Sequence, residues 1–256
     1  KDSLATAIIQ QAYQPLDYEY LFNPTGQEYP VVYEWLDRVS EYFGKTIVKT
    51  GRPLKQIIAE QNWFLPSPQA RYCTRLSKIA PMKEYLKNAE ATIYFGIRAD
   101  EDRDGFDNSS TPNLIPRYPL KEYGVNLEMV YQIVTHEGLK PPTFFWQRLW
   151  NEVTKVISEK NIRTLPEWQI DSLFSWRSRM NCANCFFQRQ YEWLGCLEHY
   201  PEMFWEYEGW EHNVSEYFFL GKDKPLTWLV DNQDTVFNRR VNQIIKALTA
   251  LLQQKL

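Results

Sequence analysis

Through its first hundred residues the sequence alternates between two periodicities, and no other feature constrains its fold as tightly. Residues 4–13 (LATAIIQQAY) carry apolar side chains at helical spacing, with Asp2 or Ser3 suited to cap them. YEYLF at 18–22 has the composition of a strand and ends in the turn-forming Asn23-Pro24-Thr25-Gly26. Pro30 opens a second helix, VVYEWLDRVSEYF, which Gly44 closes. TIVKT at 46–50 reads as a second strand and PLKQIIAEQN as a third helix. From Thr74 the pattern TRLSKIAPMKEYLKNA is helical, interrupted at Pro81. ATIYFGIR at 91–98 is a third strand, apolar enough to be covered on both faces. This alternation predicts an α/β fold: a doubly wound parallel sheet with right-handed crossovers. Ligands of such sheets bind beyond the carboxyl ends of the strands. The loops there, NPTG at 23–26, TGRP at 50–53 and RADEDRDG at 98–105, are polar, glycine-bearing and charged, as phosphate binding requires.

Beyond residue 105 the character changes. DNSSTPNLIPRYPL reads as a Pro- and Ser-rich connector, and helical patterns follow at 126–137, 143–159, 166–178, 186–199, 201–209 and 232–254. The sequence therefore divides near 108 into an α/β core, 1–107, and a mostly helical C-terminal region, 108–256. Aromatic residues reach 16% with ten Trp, so rings must be buried in quantity or line a binding surface. The segment FWEYEGWEHNVSEYFF is read as core or lid packing, with base stacking as the alternative. The last helix is amphipathic and suits packing on the body or on a partner subunit. A net charge of −3 excludes a grip on nucleic acid by overall charge and leaves only a local basic face. No apolar run approaches the roughly 20 residues that span a bilayer, and no signal peptide is visible, so no membrane partner and a cytoplasmic setting are expected. Four cysteines, Cys73, Cys182, Cys185 and Cys196, are too few for a disulfide scaffold. The Cys-x-x-Cys at 182–185 reads as metal, cluster or redox chemistry in a reducing compartment.

A sheet whose first element is a helix lacks its leading strand. Lys1-Asp2-Ser3 fits the end of the glycine-rich loop that joins such a strand to its helix, as in the Ser-Gly-Gly-Lys-Asp-Ser signature of PP-loop ATP pyrophosphatases. The expectation is that the chain opens inside that motif, with the strand and Ser-Gly-Gly upstream. Further segments follow in order. FNPTGQEYPVVYEWLDRV resembles a second-strand loop in which Thr25, Gly26, Glu28 and Pro30 match and Pro24 replaces an Asp. YCTRLSKIAPMKEYL places a cysteine, then Lys78 and Pro81, before an apolar helix. GIRADEDR resembles Gly-x-Arg-x-x-Glu-x-x-Arg, with Arg103 one position early. RYPLKEYGVNLEMVYQIVTHEGLKPP and NCANCFFQRQYEWLGCLEHYPEMFWEYEGWE complete the series. From residue 1 to about 211 the chain resembles the phosphoadenosine-phosphosulfate reductase family of adenine nucleotide α-hydrolase-like proteins.

The resemblance implies roles. Lys1 would neutralise phosphate charge, Ser3 would donate a hydroxyl, and Asp2 would orient the loop or help hold Mg²⁺; a plain helix cap is the alternative for Asp2 and Ser3. Thr25 and Gly26 would lie near the adenosine, or form an ordinary turn. Gly96 and Arg98 would meet the nucleotide, Arg98 through a phosphate or sulfate, with an ion pair to Asp100 or Glu101 as the alternative. Arg103, Arg117 and Lys78 are weaker candidates for the anion. His136, His199 and His212 lack metal-like spacing and read as structural or surface residues. Cys73 matches the first of a family cysteine pair, Thr74 standing at the second. Cys182, Cys185 and Cys196 bring the count to four, for a [4Fe–4S] cluster, a Cys₄ zinc site or unmetallated thiols. One continuous helix from Cys185 to Cys196 would separate them by about 16 Å, so a cluster needs that helix to break or start late.

Three functions are compatible with this reading. The favoured one is an enzyme that cleaves ATP at the α-phosphate and adenylates a substrate for sulfur transfer, with nucleic acid or a sulfur-donor protein as partner and the oligomeric state open. The second is a sulfonucleotide reductase that releases sulfite. Family reductases carry the nucleophile in a Glu-Cys-Gly-Leu-His tail, whereas this chain ends in QQKL. The third is a non-catalytic nucleotide-binding module of a larger assembly.

Overall fold

The computed structural model describes residues 1–180, 182–213 and 217–253. Asn181 of the Cys-x-x-Cys segment, residues 214–216 of the aromatic segment and the last three residues lie outside them. In chain order the elements are α1 (Asp2–Tyr13), β1 (Leu21–Phe22), α2 (Pro30–Phe43), β2 (Val48–Lys49), α3 (Leu54–Glu60), α4 (Tyr72–Thr74), a π-helical turn (Arg75–Ile79), α5 (Ala80–Tyr85), β3 (Ala91–Tyr94) and β4 (Leu114–Arg117). They continue with α6 (Pro119–Glu122), α7 (Leu127–His136), α8 (Gln147–Thr154), α9 (Glu159–Ile162), α10 (Glu167–Phe174), α11 (Gln190–His199), α12 (Pro201–Glu211), a β5–β6 hairpin (Tyr217–Phe218, Gly221–Lys222), α13 (Leu226–Asp231) and α14 (Gln233–Gln253).

The chain forms two compact units. The first comprises Lys1–Thr25, Pro30–Pro53 and Cys73–Pro142; the second comprises Gly26–Tyr29, Leu54–Tyr72 and Thr143–Leu256. The division expected near 108 differs from these interleaved units, because β4 and α7 belong with the elements before them. Leu114–Arg117 lies inside the expected connector, yet it pairs in parallel with β3, Ala91 opposite Leu114 and Tyr94 opposite Arg117. Pro116 lacks the N–H that a central strand needs, which is why the stretch reads as a connector.

In the first unit α1 buries Leu4, Ala5 and Ile9 and packs on β3, α6 and α7. α2 buries Val32, Trp35 and Val39 at helical spacing, and the Trp35 indole donates to the Leu139 carbonyl at 3.1 Å. Gly44 ends α2 at φ +61°, a conformation costly for any residue with a Cβ. β1 and β2 also pair in parallel, Leu21 opposite Val48. The architecture is mixed α/β. Among the described residues the strands form separate two-stranded sheets, and the expected continuous doubly wound sheet is not seen. The strand patterns of 5–8 residues yield only short ladders, because Asn23-Pro24 and Thr50-Gly51 turn the chain away.

The second unit is helical around an aromatic core. Trp146, Phe174, Trp193, Phe204 and Tyr207 are fully buried. The Trp193 ring lies 6.0 Å from Tyr207 and 5.2 Å from Phe219. Tyr29, from the loop after β1, is buried among Phe144, Trp176 and Tyr200 at 5.6, 5.4 and 4.6 Å. Glu211, 3% exposed at the end of α12, accepts the backbone N–H of Phe219 at 2.7 Å and of Leu226 at 2.6 Å. It thereby ties the hairpin and the start of α13 to α12. Burial raises its carboxyl to about 7 against the pull of those two donors. Among the described residues no helix is long and apolar enough to cross a membrane.

Candidate functional site

The first and fourth motif segments meet in the first unit. β3 ends at Tyr94, and the chain turns tightly, with Ile97 N–H donating to the Phe95 carbonyl at 3.0 Å. Gly96 then presses against the first turn of α1. A Cβ there would collide with the Ser3 nitrogen and the Asp2 carbonyl carbon, so only glycine permits the approach. This contact delivers Arg98, whose Nη1 lies 3.2 Å from Asp2 Oδ1; Lys1 Nζ reaches the same oxygen at 2.9 Å. Arg98 also pairs through Nε with Asp100 at 2.9 Å and through Nη1 with Glu101 at 3.2 Å. Glu101 meets Arg103 Nη2 at 3.1 Å, and the same nitrogen donates to the Gly96 carbonyl at 3.3 Å. Lys1, Arg98 and Arg103 thus alternate with Asp2, Asp100 and Glu101. The Arg98 side chain is only 12% exposed, so an anion binding there must exchange with one of those carboxylates.

Neither Asp2 nor Ser3 caps α1. The cap position is Lys1, and no side chain caps the helix. Asp2 is instead the first helical residue, and its carboxylate is drawn to Lys1 and Arg98. Burial alone would raise the Asp2 carboxyl, but Lys1 and then Arg98 outweigh it and hold the group below the usual carboxylate range. An anion in the first turn also suits the positive end of the helix dipole. Ser3 is exposed. Tyr131 of α7 was not singled out in the sequence; its ring centroid lies 5.5 Å from Lys1 Nζ.

The loops after β1 and β2 also converge. A Cβ on Gly51 would collide with the Pro24 carbonyl, and Thr50 Oγ1 donates to Asn23 Oδ1 at 2.6 Å. Thr25 is buried, and Gly26 turns at φ +73°. Pro81 explains the neighbouring π-helical turn. It has no N–H for the Ser77 carbonyl four residues back, and that carbonyl accepts Arg52 N–H at 2.9 Å instead. The Ser77 hydroxyl donates in return to the Arg52 carbonyl. Lys78 is half-buried in the same turn. Arg117 is committed to Glu122 through Nε at 2.8 Å and Nη2 at 2.6 Å. His136 pairs with Glu137, His212 with Glu208, and His199 stacks on Trp176.

Cys73 belongs to the first unit; Cys182, Cys185 and Cys196 belong to the second. Among the described residues none of the four is joined in a disulfide. α11 starts at Gln190, five residues after Cys185, so no continuous helix joins Cys185 to Cys196. Cys196 is fully buried beside the Tyr29 hydroxyl and Arg177, and burial pushes its thiol up to about 11. Among the described residues no three His, Cys, Asp or Glu side chains group as a metal would need. What holds the Cys-x-x-Cys loop is Arg177, buried and unmarked by the sequence pattern. Its Nη2 donates to the Cys182 carbonyl and its Nη1 to Gln188 Oε1, both at 2.6 Å. No family model, curated protein or solved structure matches this chain.

Proposed function

We propose that the first unit binds ATP with its phosphates at the amino end of α1 and cleaves it at the α-phosphate, adenylating a substrate for sulfur transfer. The observation that carries this reading is the meeting of the first turn of α1 with the exit of β3 through Gly96, which puts Lys1, Asp2 and Arg98 in one cluster. The free N–H groups of a helix start favour phosphate, and they sit here beside three cationic side chains. Arg98 presents a planar fork to the departing pyrophosphate and stabilises its charge. Ionised Asp2 holds Arg98 in place and, once a nucleotide displaces that pairing, is the carboxylate that would hold Mg²⁺. Mg²⁺ supplies further neutralisation of phosphate charge. No step runs through the cysteines.

The finer fold that accompanies this reading is the doubly wound sheet. Among the described residues β1 pairs only with β2, and β3 only with β4.

A second reading, a nucleotide-binding module without catalysis, is favoured by the commitment of Arg98 to Asp2, Asp100 and Glu101. Calorimetric titration with Mg·ATP, alongside a pyrophosphate-release assay, separates the two. Binding with release supports the enzyme, and binding without release supports the module. If Arg98→Ala leaves ATP affinity unchanged, both fail.

A further inference from the structure

The second unit holds a cavity of about 260 Å³ where the start of α11 faces α14. Three arginines line it: Arg189, at the N-cap of α11, and Arg239 and Arg240 of α14. Arg240 is 9% exposed, within the apolar stripe Val236, Ile244 and Leu248. Its guanidinium lies 4.1 Å from the Tyr191 ring centroid, and Nη2 donates to the Leu173 carbonyl at 2.9 Å. Its Nε is buried with no hydrogen-bond partner. Among the described residues none of the three arginines makes a carboxylate ion pair. Arg189 Nη1 donates to the Tyr191 hydroxyl at 2.9 Å, and Arg239 Nη1 to Gln190 Oε1 at 3.4 Å. The nearby carboxylate of Glu192 accepts instead from the Arg189 backbone N–H and from the backbone and hydroxyl of Ser178.

Three gathered guanidinium groups, one of them desolvated, repel one another unless an anion joins them. The start of α11 adds the positive end of its dipole, partly offset by Glu192 in its first turn. A volume of this size holds a compact dianion with a small organic tail and falls below the usual range for drug-sized ligands. We propose that this cavity is a binding site for a small phosphate dianion, either inorganic phosphate or a phosphomonoester, bridged by Arg189, Arg239 and Arg240. Gln190 and Gln243 also line the cavity.

The test is calorimetric titration of the full chain with inorganic phosphate and with phenyl phosphate at constant ionic strength. Saturable binding of either supports the site, and the stronger of the two identifies the source. Arg239→Ala removes an exposed side chain and should weaken binding about tenfold, the worth of one charge-assisted hydrogen bond. Arg240→Gln should abolish it. The α1 corner could also take phosphate, so the titration is repeated in Arg98→Ala, where the response should persist. Binding lost in Arg98→Ala but intact in Arg239→Ala would overturn the assignment. So would a response to sodium chloride equal to that of phosphate, or preferential binding of a short single-stranded oligonucleotide.

Discussion

Arg98 and Arg240 are both largely withdrawn from water, yet their charges are answered in opposite ways. Arg98 meets Asp2, Asp100 and Glu101 at 2.9–3.2 Å. Arg240 meets a carbonyl, a tyrosine ring and the like charge of Arg189, with the Glu192 carboxylate near but not ion-paired to it. An arginine already matched by carboxylates is part of the scaffold until a ligand displaces them. One left unmatched in a cavity is a reason for a ligand to bind. The corner of the first unit therefore offers organisation, and the cavity of the second offers unspent attraction.

The same substitution at both positions should separate these roles. Arg98→Met leaves three carboxylates without their common partner and should destabilise the protein by about 3 kcal/mol at pH 7, read by urea denaturation. Asp2 titrates below its ordinary value, so its pairing contributes above about pH 4 and is lost as pH falls through the depressed value. The deficit of the variant should accordingly shrink in acid; a deficit independent of pH would mean that Arg98 acts through packing. Gly96→Ala, which forces backbone apart at the same corner, should cost about 2 kcal/mol and weaken Mg·ATP binding with it. Unchanged affinity would dissociate the corner from the nucleotide.

Glu211 provides the anionic counterpart in the second unit, a buried carboxylate held by backbone N–H groups alone. Its carboxyl is raised to about 7, so its contribution is full below about pH 4.5 and is lost as pH rises through 7. Thermal unfolding should show a loss of about 1–2 kcal/mol between pH 5 and 8, flattened in Glu211→Gln. Arg240→Met should change stability least, by under about 1 kcal/mol. The lost Leu173 hydrogen bond and ring contact are set against release from a desolvated charge. A loss as large as that of Arg98→Met would show that Arg240 is scaffold after all.

Local patterns made the helices legible and left the long-range pairings hidden. α1, α2, α7 and α12 announce themselves by apolar spacing, with Pro30, Asn126 and Pro201 at or beside their starts and Gly44 at one end. β4 was masked by Pro116, and the β5–β6 hairpin carried too few residues to register. Lys1, Asp2 and Arg98 were grouped through motif order, and the ion-pair alternative for Arg98 was also readable from Asp100 and Glu101 nearby. Arg177 and the arginine cavity were not, because their surroundings are assembled from distant segments. One signal was present for Arg240: a cation on the apolar stripe of α14, four residues from Val236 and four from Ile244.

The interleaving of the two units has a consequence for how this protein can be dissected or recombined. Its six alternating segments mean that neither unit corresponds to one uninterrupted stretch of gene. A fragment starting at Thr143 would lack Tyr29, leaving a ring-sized void between Phe144, Trp176 and Tyr200. A fragment stopping at Pro142 would carry 26–29 and 54–72 as stranded passengers.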